Sequence, residues 1–245
     1  MSRPEPAEDA PSSGWWGWRE ALIVVVGAHV ALIVVGSVFL AAGGWGGSSG
    51  GRSEPVPIAG SFVATVPFWV AAVAGAWWLA RRSPVSPREA LALSVRPLDV
   101  PLGIAVGVAM QLVVIPVVYW PILRALGSST RELEQAARDL ADSAHGAGGA
   151  TLFVLMACVF APCAEELLYR GVLQRSRDWS SAVIGIVVTS LLFGLLHLEP
   201  LQFVGLALFG AASGVLVWRT GRLGPGIVAH IAFNAATVIP LLWRR

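Results

Sequence analysis

The sequence predicts an all-α fold, a polytopic bundle of about seven transmembrane helices, and three observations predict it. Charged residues make up 13% of the 245-residue chain and hydrophobic residues 56%, whereas an ordinary soluble domain carries about 25% charged residues. The mean hydropathy is +0.70. Apolar runs of about 20 residues, the length that crosses the hydrocarbon core of a bilayer, recur between short polar loops. This composition excludes a soluble enzyme, a disordered chain and a nucleic-acid binder. The net charge of +2 implies no acidic partner. The two cysteines, Cys158 and Cys163, allow neither a disulfide framework nor a Cys-rich metal site. Both read as buried small apolar residues.

Residues 1–14 are polar and rich in Pro, Ser and acid, which reads as a disordered tail reaching to residue 18. Residues 19–245 then form a single transmembrane helical domain. The tail lacks the basic region and cleavage site of a signal peptide, so the first apolar segment is expected to be retained. That segment covers about 21–42, with Trp15, Trp16 and Trp18 as an interfacial anchor. The second span covers about 58–80. The third, about 100–123, carries Pro116 and Pro121, which a helix bundle tolerates as kinks. It also carries Gly103 and Gly107 at the spacing of close helix packing.

Residues 129–144 change character. Thr130 followed by early acids reads as the cap of a surface helix, which the Gly-rich stretch after His145 ends. Four more spans follow, at about 151–172, 181–197, 201–218 and 225–243. Arginine supplies every fixed positive charge, and the loops on the N-terminal side carry ten against six opposite. The positive-inside rule then places the N-terminus in the cytoplasm. The composition looks bacterial, so the expected location is a bacterial plasma membrane.

Ionisable groups inside apolar spans are costly and are the first candidates for function. Three sets stand out: Glu165, Glu166 and Arg170; Phe193 and His197; His230 and Asn234. Glu166 and Arg170 are four apart with the acid nearer the N-terminus, the favoured order for an intrahelical ion pair. Glu165 is turned about 100° away at 3.6 residues per turn, so its carboxylate is left free for chemistry. His230 and Asn234 share one helix face and can offer two donors to a developing oxyanion. His197 supplies a second imidazole. A base that activates water, beside donors for a tetrahedral intermediate, makes a hydrolytic site. His29 reads as an interhelical hydrogen-bonding residue, and Tyr169 as one that snorkels or donates to the site. Glu165 and Asn234 are expected about 15 Å deep at 1.5 Å per residue. His197, at the end of its span, is expected further out.

A double Glu with Arg four after the second, Phe four before a His, and His four before an Asn occur in this order. In this the chain resembles the CPBP family, the CAAX prenyl protease and bacteriocin-processing-like intramembrane proteases. The resemblance covers a catalytic core of about 150–242. It implies an endopeptidase acting on membrane-anchored or membrane-proximal proteins or peptides at the lipid bilayer. Glu165 with His197 would activate water, and His230 with Asn234 would hold the oxyanion. Glu166, Arg170 and Phe193 would support them. The expected cofactor is none, or a divalent metal such as zinc if the family's metalloprotease label applies; His197, His230 and Glu165 would then be the ligands. The alternatives are a non-enzymatic membrane scaffold or bacteriocin-immunity-type protein that binds a peptide in the same cavity, and a transporter or proton relay.

Overall fold

The computed structural model describes residues 15–43, 45 and 56–243, and among these there is no strand. The helices, in chain order, are α1 (Trp18–Ala42), α2 (Ile58–Ala80), α3 (Asp99–Leu126), α4 (Thr130–Leu133), α5 (Gln135–Ser143), α6 (Gly146–Leu173), α7 (Ala182–Leu196), α8 (Phe203–Thr220) and α9 (Gly224–Trp243). A single turn, Pro87–Ala90, precedes α3. Six of the helices are long and apolar enough to cross a membrane: α1, α2, α3, α6, α8 and α9. The segment expected as the fifth of seven spans is α7, with 15 residues. At 1.5 Å per residue it is about 22 Å long, short of a hydrocarbon core of about 30 Å. Ile23, Val38, Val117 and Val183 are exposed on the outer faces, a distribution that suits lipid and not water.

The tightest contacts follow the small residues. α3 packs along α9 through Gly103 and Gly107. A Cβ at Gly103 would lie 2.7 Å from the Val228 Cβ and 2.8 Å from the Pro225 carbonyl oxygen, and one at Gly107 would run into the Ala229 carbonyl. Since 103 faces 225 and 228, and 107 faces 229, 232 and 233, the two helices run parallel. Arg222, just before α9, clamps their common end by hydrogen-bonding both oxygens of the buried Asp99. That carboxylate holds the Arg222 guanidinium above its ordinary pKa. Gly107→Ala is expected to destabilise the protein by about 2 kcal/mol through overpacking. Gly27→Ala, whose added methyl meets nothing within 4 Å, is the control. Thermal unfolding in detergent reads both, and equal unfolding temperatures would refute the close-packing account.

Four π-helical turns interrupt the long helices: Leu32–Gly36, Met110–Val114, Met156–Phe160 and Leu167–Leu173. Two of them are followed by a proline, Pro116 and Pro162.

Several local expectations are corrected. Trp16 is no interfacial anchor: it is 2% exposed, and its indole N–H donates to the Val172 carbonyl at 2.8 Å. Trp15 and Trp18 remain exposed. Residues 1–14 of the expected tail lie outside the described residues. The surface segment is two helices, and its cap is Ser129, not Thr130. Ser129 and Glu132 each bond the other's backbone N–H in a capping box. The glycines after 145 open α6 instead of only closing α5. Cys158 is buried as expected, but Cys163 is exposed on the outer surface of α6.

Candidate active site

The buried polar groups converge between α6, α7, α8 and α9. On α6, Glu166 and Arg170 are both fully enclosed and form an ion pair at 3.2 Å, as their spacing predicts. Three further partners complete the Glu166 carboxylate environment or that of its arginine. Ser213 on α8 donates its hydroxyl to Glu166 Oε2 at 2.6 Å. His230 Nδ1 lies 3.0 Å from Glu166 Oε1. Arg170 Nη2 donates to the Gly210 carbonyl at 2.9 Å. Arg170 Nε and Nη1 make no aligned hydrogen bond among the described residues, so the Nη1 contact to Glu166 is one of charge. The Phe193 ring, 4.8 Å from the guanidinium carbon, supplies a cation–π face to the same cation.

Glu165 points elsewhere, as its helical phase requires. Its Oε2 lies 3.8 Å from His197 Nε2 and 3.7 Å from His230 Nε2. The side-chain exposures separate two layers. Glu165 at 15% and His197 at 30% reach open space, while Glu166 and Arg170 at 0% are sealed behind them. A cavity of about 980 Å³ is lined by Glu165, His197, His230 and Asn234 at one end and by Arg124 and Ser129 toward the other. It therefore leads from the buried polar cluster toward the side of α4 and α5.

Backbone chemistry assigns the proton on each imidazole. The Phe193 carbonyl can only accept, so His197 Nδ1, 2.6 Å away, is the donor. The Glu166 carboxylate likewise receives a proton from His230 Nδ1. In the neutral rings, both Nε2 lone pairs then face Glu165. Asn234 gives one amide N–H to the Ala157 carbonyl at 2.7 Å, and its other N–H is left for the cavity it lines.

The Ala157 acceptor has a traceable origin. In the π turn, the Ala161 N–H bonds Met156 O, five residues back. The next donor in that pattern belongs to residue 162, a proline without an N–H. The Ala157 carbonyl is thus released from its helix, and Asn234 takes it.

The depth mismatch of His197 resolves through two features. α7 is short, so His197, the residue after its last turn, stays level with the middle of α6. The Nδ1 bond to Phe193 also turns the ring back along α7 toward Glu165. Leu198 then adopts φ +56°, a left-handed conformation that disfavours side chains by about 1–2 kcal/mol. Tyr119 on α3 secures the reversal: its hydroxyl donates to Leu201 O at 2.7 Å and accepts from Gly205 N at 3.0 Å. Neither Tyr119 nor Ser213 stands out in the sequence. Their partners lie tens of residues away, and a lone hydroxyl in an apolar helix carries no local signal.

Other sequence expectations are placed as follows. Phe193 packs beside both imidazoles, with ring centroids 4.6 Å from His197 and 5.6 Å from His230. Tyr169 does not enter the cavity. Its hydroxyl meets His29 Nε2 at 3.4 Å, which makes His29 the interhelical partner expected of it.

A zinc set of Glu165, His197 and His230 finds no support in this placement. Ligands about 2.0–2.2 Å from one zinc lie roughly 3.3 Å apart, less than either separation from Glu165. No group of three or more His, Cys, Asp or Glu among the described residues is placed to hold a metal ion.

No curated protein and no solved structure matches this chain. Residues 147–236 do match the family model described as type II CAAX prenyl endopeptidase Rce1-like. That segment contains both glutamates, Arg170, Phe193, His197, Ser213, His230 and Asn234. Over the residues that build this site, the chain belongs to the Rce1-like type II CAAX prenyl endopeptidases, a family of membrane proteases.

Proposed function

We propose that the chain is an intramembrane endopeptidase that cleaves membrane-anchored or membrane-proximal proteins and peptides with water activated by Glu165. The observation that carries this reading is the position of Glu165. One oxygen faces two imidazole nitrogens from separate helices, at the inner end of a cavity large enough for a peptide.

Charge gives the roles. Glu165, Glu166 and Arg170 ionised, with both imidazoles neutral, sum to one negative charge in a poorly solvated place. One shared proton neutralises the cluster, which a low dielectric favours. With that proton on His230, Glu165 is an ionised base and His230 Nε2 becomes a donor. A water between Glu165 and His197 then gives its proton to Glu165 while its oxygen attacks the scissile carbonyl carbon. The resulting oxyanion accepts from the free Asn234 N–H and from His230. Collapse breaks the C–N bond, and Glu165 returns the proton to the leaving amine. Glu166 and Arg170 act from behind, through His230. The arginine bias supports a cytoplasmic N-terminus, which turns the α4–α5 end of the cavity away from the cytoplasm.

The test is cleavage of a library of membrane-tethered peptides by the purified protein, with and without a zinc chelator. Cleavage that survives the chelator is the expected result. Loss with chelator and recovery with zinc would refute a metal-free site. No cleavage by wild type, with peptide still bound, would favour a binding scaffold.

A further inference from the structure

Gln111 is the polar residue in the middle of α3, within the apolar π turn Met110–Val114, and it lines the cavity. A polar side chain at such a place needs a partner or a function. Among the described residues its amide makes no hydrogen bond. Its main-chain carbonyl is released as well. The Ile115 N–H bonds Met110 O. The next donor in that pattern, which would take Gln111 O, belongs to Pro116 and does not exist. The same arrangement in α6 releases Ala157 O, and there Asn234 supplies the missing N–H. In α3 no described residue does.

Register places Gln111 near the chemistry. Gly103 faces Pro225 and Val228, and Gly107 faces Ala229, Ala232 and Phe233. With the helices parallel, residue 111 falls abreast of 233–237, the level of Asn234. Both line the same cavity.

We infer that Gln111 is a substrate-binding residue that grips the main chain of an extended peptide beside Asn234. The inference rests on the endopeptidase reading and extends it to how the substrate is held. The released carbonyl accepts a substrate N–H. The side-chain amide, one acceptor and two donors, pairs with a neighbouring substrate peptide group. Such a grip reads backbone and not side chains, so it accepts many sequences. The apolar walls at Leu112, Ile115, Leu206 and Phe233 favour peptides with small or aliphatic side chains.

Because recognition is by main chain, a generic probe suffices. The probe is a fluorescein-labelled, capped decapeptide of alternating Ala and Leu. Binding is measured by anisotropy to the full-length Glu165→Gln protein in nanodiscs, with empty nanodiscs subtracted. Adding Gln111→Leu is expected to weaken binding about tenfold, the size of one to two net hydrogen bonds. Adding Pro116→Ala, which returns an N–H to Gln111 O, is expected to weaken it about threefold. A fully N-methylated probe should bind weakly and equally to all three proteins. The inference is overturned if the parent binds no probe, or if Gln111→Leu binds within twofold of it. A loss of the same size with the N-methylated probe would overturn it too. If Gln111→Leu does not fold, Pro116→Ala and the two probes on the parent still decide. Gln111-dependent binding by a protein that cleaves nothing would sink the protease reading alone. Cleavage with Gln111-independent binding would sink this inference alone.

Discussion

Glu165→Gln is expected to lower peptide turnover about a thousandfold, within the range for removing a general base, and to leave the unfolding temperature unchanged or higher. The amide keeps the shape of the carboxylate and an acceptor oxygen, so packing around α6 is undisturbed. What it cannot do is take a proton from water. It also removes one of two adjacent negative charges, which relieves repulsion from the sealed Glu166. Stability and activity should therefore separate, and this separation distinguishes a catalytic carboxylate from a structural one. Turnover and thermal unfolding in the same detergent measure both. Turnover within tenfold of wild type would remove Glu165 from the chemistry. A large fall in unfolding temperature would show that its charge serves the fold.

Much of this arrangement is legible from residue spacing, because it follows helical phase. The four-residue interval of Glu166 and Arg170 predicts their pair, and the one-residue offset of Glu165 predicts its separation from it. Gly103 and Gly107 predict a close helix contact, and α3 makes it with α9. What the spacing does not show has a common cause in irregular backbone. A π turn adds a residue and shifts the phase of everything after it, so Cys163, beyond Met156–Phe160, faces outward where α-helical counting buries it. Release of a carbonyl by Pro162 or Pro116 depends on the hydrogen-bond pattern before it, which composition does not encode. The length of α7 is hidden for another reason. Its apolar run continues past Leu196, and only the reversal held by Tyr119 ends the helix there. Trp16 sits in an amphipathic-looking triplet, yet its indole finds an acceptor 156 residues away.

Glu166→Ala should behave in the opposite way from Glu165→Gln, with stability falling first. It leaves the fully enclosed Arg170 cation without its carboxylate, and breaking one partner of a buried pair costs about 3–5 kcal/mol. It also strips His230 Nδ1 and the Ser213 hydroxyl of their acceptor. The protein should unfold at lower temperature and accumulate poorly. Replacing both charges together, Glu166→Gln with Arg170→Met, should recover most of the lost stability, because a neutral pair of similar volume avoids burying an unmatched ion. Activity should not recover with it. The amide that replaces the Glu166 carboxylate would offer His230 a neutral acceptor in place of a charged one, and the difference of about 1.4 kcal/mol between such hydrogen bonds is about tenfold in rate. The double variant is therefore expected to be nearly as stable as wild type and at least about tenfold slower. Wild-type stability in Glu166→Ala would show that Arg170 finds compensation from the Gly210 carbonyl and the Phe193 ring alone. Full activity in the double variant would show that the charge behind His230 has no part in holding the proton that the mechanism requires.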